Sequence, residues 1–199
     1  MKASQRFMTI IEGFLLALLA GLLQLVFPAE LGETGLSLEM GLVLILFYAF
    51  RRGALPACLA GGLVGIIQLY QVPVALTNWP HSLALVIASA AVGLAGLFAR
   101  NLQRTLHNRR MSSVYLNLVT GSFIGVLCYF ICRFVDQVWI QAESNGLAEA
   151  FRTNGLSFLL NLGIALAILI VTLNVSAKYF IPRYTKYISR KERSRLLND

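Results

Sequence analysis

The stretch Glu39-Met40-Gly41-Leu42-Val43-Leu44-Ile45-Leu46-Phe47-Tyr48-Ala49-Phe50-Arg51-Arg52-Gly53, continuing through Leu59-Ala60-Gly61-Gly62-Leu63, decides the fold. A single carboxylate opens an apolar run, and two arginines and a glycine close it. A second apolar run follows at once. Two such runs, with a basic pair at their junction, read as two membrane crossings joined by a short basic loop.

Working outward, the pattern repeats. Apolar spans are read at 8–28, 36–50, 53–70, 82–99, 114–140 and 155–181. At about 20 residues per crossing, six spans consume about 120 residues and leave short loops and a tail. The expected fold class is an all-α integral membrane protein with six transmembrane helices. One membrane domain is expected over 1–182 and a basic tail over 183–199. The first run lacks a small-x-small cleavage site before Pro28, so it reads as a span rather than a cleaved signal peptide. Composition agrees: the chain of 199 residues is 57% hydrophobic and only 13% charged, and its mean hydropathy is +0.71. Soluble domains carry about 25% charged residues. A soluble globular domain and a disordered chain are both excluded.

The net charge of +8 does not point to nucleic acid, because the basic residues lie between the apolar runs. With six spans, fifteen of the 17 Lys and Arg fall on one side: Lys2, Arg6, Arg51, Arg52, Arg100, Arg104, Arg109, Arg110, Lys178 and the tail residues from Arg183 to Arg195. Arg133 and Arg152 fall toward the other. The positive-inside rule then places both termini in the cytoplasm of a multi-pass cell-membrane protein. Glu30, Glu33, Glu39, Asp136, Glu143 and Glu149 lie toward the outer end.

Catalysis finds no support. The sequence has no Walker loop, no Gly-x-Ser-x-Gly, no His-Glu-x-x-His and only two histidines, His81 and His107. Both histidines read as interfacial residues. Cys58, Cys128 and Cys132 all fall inside spans and read as small packing residues, not as a metal site or disulfide framework. No cofactor or metal is expected. Small residues recur at helical spacing. Gly61 and Gly65 in span three, and Ala84, Ala88, Ala91 and Ala95 in span four, read as packing within the bundle. Gly13, Ala17 and Gly21 form a stripe that span one can present to a partner helix.

The best candidates for a binding site are polar groups near the outer ends, because a carboxylate in hydrocarbon usually faces a cavity or a partner. Glu39 opens span two. Arg133, Asp136 and Trp139 recur every three residues, and Tyr129 lies one turn earlier. Asn154 precedes span six, and Trp79 lies in the loop before span four. Carboxylates, a guanidinium, an amide and aromatic faces together suit a small polar heterocycle. The competing reading is a structural Arg133–Asp136 pair in a membrane assembly protein, with Trp139 as an aromatic belt residue.

The block from Glu39 through Arg51-Arg52-Gly53 to Gly61-Gly62 resembles the second and third helices of the thiamine-specific S components of energy-coupling factor (ECF) transporters. Gly93-Leu94-Ala95-Gly96-Leu97-Phe98 and Asn154-Gly155 agree with that family in order and spacing. The resemblance implies a six-helix protein that captures a vitamin, thiamine or a related heterocycle, at its outer face. It implies as partners a transmembrane T component and two ATP-binding-cassette ATPases, with the whole S component toppling in the membrane. Glu39 and Asn154 fall where the family has substrate-binding Glu and Asn. Gly13, Ala17 and Gly21 fall near the family's docking stripe on the first helix. Elsewhere the pocket departs from the family. Gly35 and Gly65 stand where it has tryptophans, Ala84-Leu85 where it has Glu-Tyr, and Tyr129 and Arg133 where it has Lys and His. Trp139 stands two positions before its last pocket tryptophan. Arg133 in place of histidine suits a ligand with an anionic group. After Pro182 the tail interleaves basic residues with Tyr and Ile, and it reads as a topology anchor on the lipid surface.

Overall fold

Helix α1 (Ala3–Val26) has 24 residues. At 1.5 Å per residue that spans about 36 Å, more than the hydrocarbon core. The computed structural model describes residues 3–27, 35–70, 78–140, 146–182, 185 and 187. Lys2, Glu30, Glu33, Glu143, Arg183, Lys186 and the tail from 188 onward lie outside the described residues. After α1 come α2 (Gly41–Arg52) and α3 (Ala54–Leu69), then α4 (Trp79–Ala91), which continues through a 3-10 stretch (Val92–Phe98) into α5 (Ala99–His107). Helix α6 (Met111–Val135) ends in a π turn (Asp136–Ile140), and α7 (Gly146–Ser176) ends in a 3-10 turn (Ala177–Phe180). The described residues form an all-helical membrane bundle, as the hydropathy pattern requires.

Four segments are long and apolar enough to cross a membrane unaided: Arg6–Val26, Trp79–His107, Met111–Ile140 and Gly146–Phe180. Helices α2 and α3 have only 12 and 16 residues. Helix α2 is central: Leu42, Ile45, Leu46, Tyr48, Ala49 and Phe50 are all buried. Residues 35–40, ahead of it, are not helical.

Two limits of the sequence reading are corrected here. Residues 99–107, expected as a loop, form α5, with Leu102, Gln103 and Leu106 buried and Arg100 exposed. The last helix starts at Gly146 rather than near 155, because its first turns, Leu-Ala-Glu-Ala-Phe-Arg, are good helix formers beyond the apolar stretch.

Gly53 alone links α2 to α3. Its φ of 95° and ψ of 178° lie in a region essentially open only to glycine, and its N–H caps α2 by donating to the Ala49 carbonyl at 2.8 Å. This is the physical content of Arg-Arg-Gly: two charges paired with Glu12 end the crossing, and the glycine reverses it. Gly53→Ala is expected to cost about 1–3 kcal/mol. Thermal unfolding in detergent checks this, and an unchanged midpoint would count against the strained turn.

Glycines set the helix spacing. A Cβ on Gly61 would lie 2.2 Å from the Ser89 carbonyl oxygen, and one on Gly65 would lie 2.6 Å from the Val86 Cα, so α3 and α4 touch backbone to backbone. Gly93 and Gly96 press the 3-10 stretch onto the start of α3 in the same way. The packing role expected for spans three and four is what the glycines perform. The stripe on α1 differs from its expected docking role. Gly13 lies against Tyr48, Gly21 lies against Ile67, and Ala17 is buried. The stripe faces α2 and α3, and the outward face of α1 carries Ile10, Phe14, Leu18 and Leu22 instead.

The two ends of the bundle have opposite character. At one end Glu12 of α1 pairs with both Arg51 and Arg52, and Arg51 also donates to the Tyr179 carbonyl. The start of α1 and the end of α7 therefore share this basic end. Gln24, Glu39, Gln68, His81 and Asp136 gather toward the opposite end. Glu39 stands thirteen positions before Arg52, which at helical rise places it about 20 Å from the basic end, within the span.

Candidate functional site

Non-helical backbone at membrane depth is tolerated only where protein groups satisfy it. Residues 35–40 meet that condition through α7. The Ser37 N–H donates to Ser157 Oγ at 3.0 Å. Asn161 uses both ends of its amide: Nδ2 donates to the Ser37 carbonyl at 2.8 Å, and Oδ1 accepts the Glu39 N–H at 2.8 Å. This clamp fixes Glu39 at the mouth of α2, where a carboxylate can be buried without its backbone being orphaned.

The Glu39 side chain, in a residue only 6% exposed, is held by neutral amide donors from two other helices. Gln24 of α1 donates Nε2 to Oε2 at 2.8 Å. Gln68 of α3 donates to the same oxygen at 3.3 Å. Tyr129 of α6, fully enclosed, lies beside Glu39 and Gln68. Ser89 of α4 donates to Gln68 Oε1 at 2.8 Å and fixes that amide. Among the described residues no Lys, Arg or His is within ion-pair distance of Glu39. A buried carboxylate with donors but no cation suits a ligand that brings a positive charge or N–H groups.

A second cluster lies where α4 begins and α6 ends. His81 Nδ1 is 2.8 Å from both carboxylate oxygens of Asp136, and Arg133 approaches the same carboxylate at 3.8 Å. The Arg133–Asp136 pair expected from the sequence exists, but His81 is the closer partner. His81 is buried, not interfacial. The π turn brings Asp136 inward, and such turns frequently occur at functional sites.

The structure gathers some expected site residues and separates others. Glu39 and Tyr129 meet directly, and Arg133 and Asp136 meet each other. Asn154 donates to Gln137 Oε1 at 2.7 Å and to the Ala150 carbonyl, tying α7 to the π turn. Trp79 and Trp139 are 73% and 74% exposed. They stand where belt residues stand, and they do not wall the Glu39 cluster. The extra residue in the π turn breaks the three-residue periodicity that put Trp139 on the face of Asp136. Gln24, Gln68, Ser89, Ser157 and Asn161 were not read from the sequence, and His81 was read only as an interfacial residue. The available signal was an amide inside an apolar run, as in Leu23-Gln24-Leu25, Ile67-Gln68-Leu69 and Leu160-Asn161-Leu162. A separate cavity of about 460 Å³ lies at the basic end, lined by α1, the end of α2, the start of α3, Thr185 and Tyr187. It is apart from Glu39.

A bundle of apolar helices with a buried polar cluster at the mouth of a shortened central helix has the architecture of a multi-pass membrane protein. The chain belongs to the thiamine transporter protein family (Thia_YuaJ), whose description matches residues 10–181. It is 25% identical over 200 residues to the thiamine transporter ThiT of Lacticaseibacillus paracasei, covering 96% of this chain and 99% of that protein. Its fold matches the solved structure of ThiT from Listeria monocytogenes with a TM-score of 0.80 at 21% identity, over 89% of this chain and all of the other.

Proposed function

We propose that this protein is the thiamine-binding S component of an ECF-type uptake transporter. It captures thiamine at the end of the bundle that carries Glu39, and that end faces outward, with both termini in the cytoplasm as the basic residues require. A T component and two ATP-binding-cassette ATPases complete the transporter, and toppling of the bundle carries the ligand across. The outward face of α1, with Phe14, Leu18 and Leu22, is the surface α1 offers to such a partner.

The observation that carries this reading is the uncompensated carboxylate of Glu39, wrapped by Gln24, Gln68 and Tyr129. Thiamine joins a cationic thiazolium to an aminopyrimidine, so it brings both a positive charge and N–H donors. Asn154, Arg133 and Asp136 stand at the same end as further contacts. Arg133, half-buried, also suits a relative of thiamine with an anionic group.

Calorimetric titration of the detergent-purified protein with thiamine tests the proposal. It is preferable to tryptophan quenching, because both tryptophans are exposed. Saturable one-to-one binding is expected, with Glu39→Ala weakening it at least 100-fold. That corresponds to about 2.8 kcal/mol, within the range for losing one partner of a buried charged contact. No heat with thiamine, or full affinity in Glu39→Ala, would overturn the assignment.

A further inference from the structure

We infer that Gln24 is a specificity-determining residue, its side-chain Oε1 accepting a hydrogen bond from an exocyclic amino group of the bound heterocycle beside the Glu39 carboxylate. The inference rests on the thiamine-binding reading above and deepens it.

Gln24 is 7% exposed and sits at the Glu39 end of the α1 stripe, one turn beyond Gly21. Its Nε2 donates to Glu39 Oε2 at 2.8 Å, which fixes the orientation of the amide. Reversing the amide would set its oxygen against the carboxylate. In the orientation that remains, Oε1 is buried and has no hydrogen-bond partner. Buried side-chain acceptors nearly always have a donor, so an orphan inside a polar cluster marks the place of a missing one. Among the described residues the only other such atom is Ser122 Oγ, a hydroxyl whose proton rotates freely.

The local sequence makes room for this amide. A Cβ on Gly41, the first residue of α2, would lie 3.0 Å from Gln24 Cδ and Nε2. Gln68 provides the contrast. It donates to the same carboxylate oxygen, but its Oε1 is already occupied by the Ser89 hydroxyl. Both glutamines therefore hold Glu39, and only Gln24 has an acceptor to spare. A carboxylate and an amide oxygen side by side match the two hydrogens of one –NH2 group. They oppose a carbonyl oxygen in the same place, because a site built for a donor leaves its acceptors unpaired against an analogue that lacks one.

The probes are thiamine and oxythiamine, in which a keto oxygen replaces the amino group of the pyrimidine. The wild-type protein is expected to prefer thiamine at least tenfold by calorimetry. Gln24→Met is expected to cut that ratio at least fivefold, with Gln24→Ala as a second variant should the first not fold. Gln68→Met removes a Glu39 donor without removing a free acceptor, and it is expected to weaken both ligands in parallel. An unchanged ratio in the Gln24 variants overturns the inference. So does an equal fall of the ratio in Gln68→Met, which would assign the effect to displacement of Glu39. Equal wild-type affinity for the two probes overturns the inference alone, whereas a wild-type protein that binds neither overturns the thiamine reading itself.

Discussion

Asn161→Leu is expected to destabilise the protein by about 2–6 kcal/mol and to weaken thiamine binding at least thirtyfold. Leucine keeps the branched four-heavy-atom outline of the side chain while removing both polar atoms. What is lost is the two-ended clamp on the extended segment ahead of α2. The Ser37 carbonyl loses its amide donor, and the Glu39 N–H loses its acceptor, at a position where the side chain that served them is buried. Each stranded group costs about 1–3 kcal/mol. The sum is a large share of the 5–15 kcal/mol that typically holds a domain together. Affinity falls for a separate reason. Glu39 reaches Gln24, Gln68 and Tyr129 only while its backbone is held in register. Asn154→Leu supplies the comparison. Asn154 contacts Gln137 and its own helix rather than the extended segment. Its loss is expected to lower affinity with little change in stability. Thermal unfolding and calorimetry on both variants separate the roles. Asn161→Leu with wild-type stability would show that something other than α7 secures the segment.

The contrast between these asparagines explains what the sequence could convey. The bundle was legible because hydropathy is local: each apolar run and each basic pair announces a crossing without knowledge of its neighbours. The basic junction at Arg51-Arg52-Gly53 was legible for the same reason. The site was legible only where a residue was conspicuous by itself. Glu39, Arg133 and Asp136 stand out as charges in apolar surroundings, and they do lie in polar clusters. The tryptophans stood out too, yet Trp79 and Trp139 face outward. Aromatic residues near span ends serve the membrane interface as readily as a pocket, and the π turn after Val135 rotates Trp139 off the face of Asp136. The amides were passed over because they carry no charge. Their cost in an apolar run is nonetheless real, and Gln24, Gln68 and Asn161 each offset it by converging on Glu39 from a different helix. That convergence joins positions up to 122 apart in the chain, which periodicity within one helix cannot reveal. The α1 stripe shows the opposite failure. Small residues at i, i+4 and i+8 mark a close approach of helices, but the pattern does not say whose. Here Tyr48 and Ile67 of the same chain occupy it.

Gly61→Ala is expected to be strongly damaging, and Gly62→Ala close to neutral. The two glycines are adjacent and compositionally equivalent, so only packing separates them. At Gly61 the added carbon would lie 2.2 Å from the Ser89 carbonyl oxygen and 2.9 Å from its carbonyl carbon. Both are backbone atoms, and no rotamer change relieves the overlap. Helices α3 and α4 must move apart, at an expected cost at or above the 1–3 kcal/mol typical of overpacked cores. At Gly62 the nearest atoms are side-chain carbons 4.0 Å away, an ordinary contact. The added methyl there also improves helix propensity by about 1 kcal/mol, so stability is expected to hold or rise. The first change reaches the binding site because the collision falls on Ser89, whose hydroxyl orients Gln68 against Glu39. Separating α3 from α4 stretches that 2.8 Å bond and loosens one of the two amide donors on the carboxylate. Gly61→Ala is therefore expected to lower both the unfolding temperature and the thiamine affinity, while Gly62→Ala leaves affinity unchanged. Equal behaviour of the two variants would mean that α3 and α4 do not meet backbone to backbone, and the link from the Gly-Gly pair to the carboxylate would have to be abandoned.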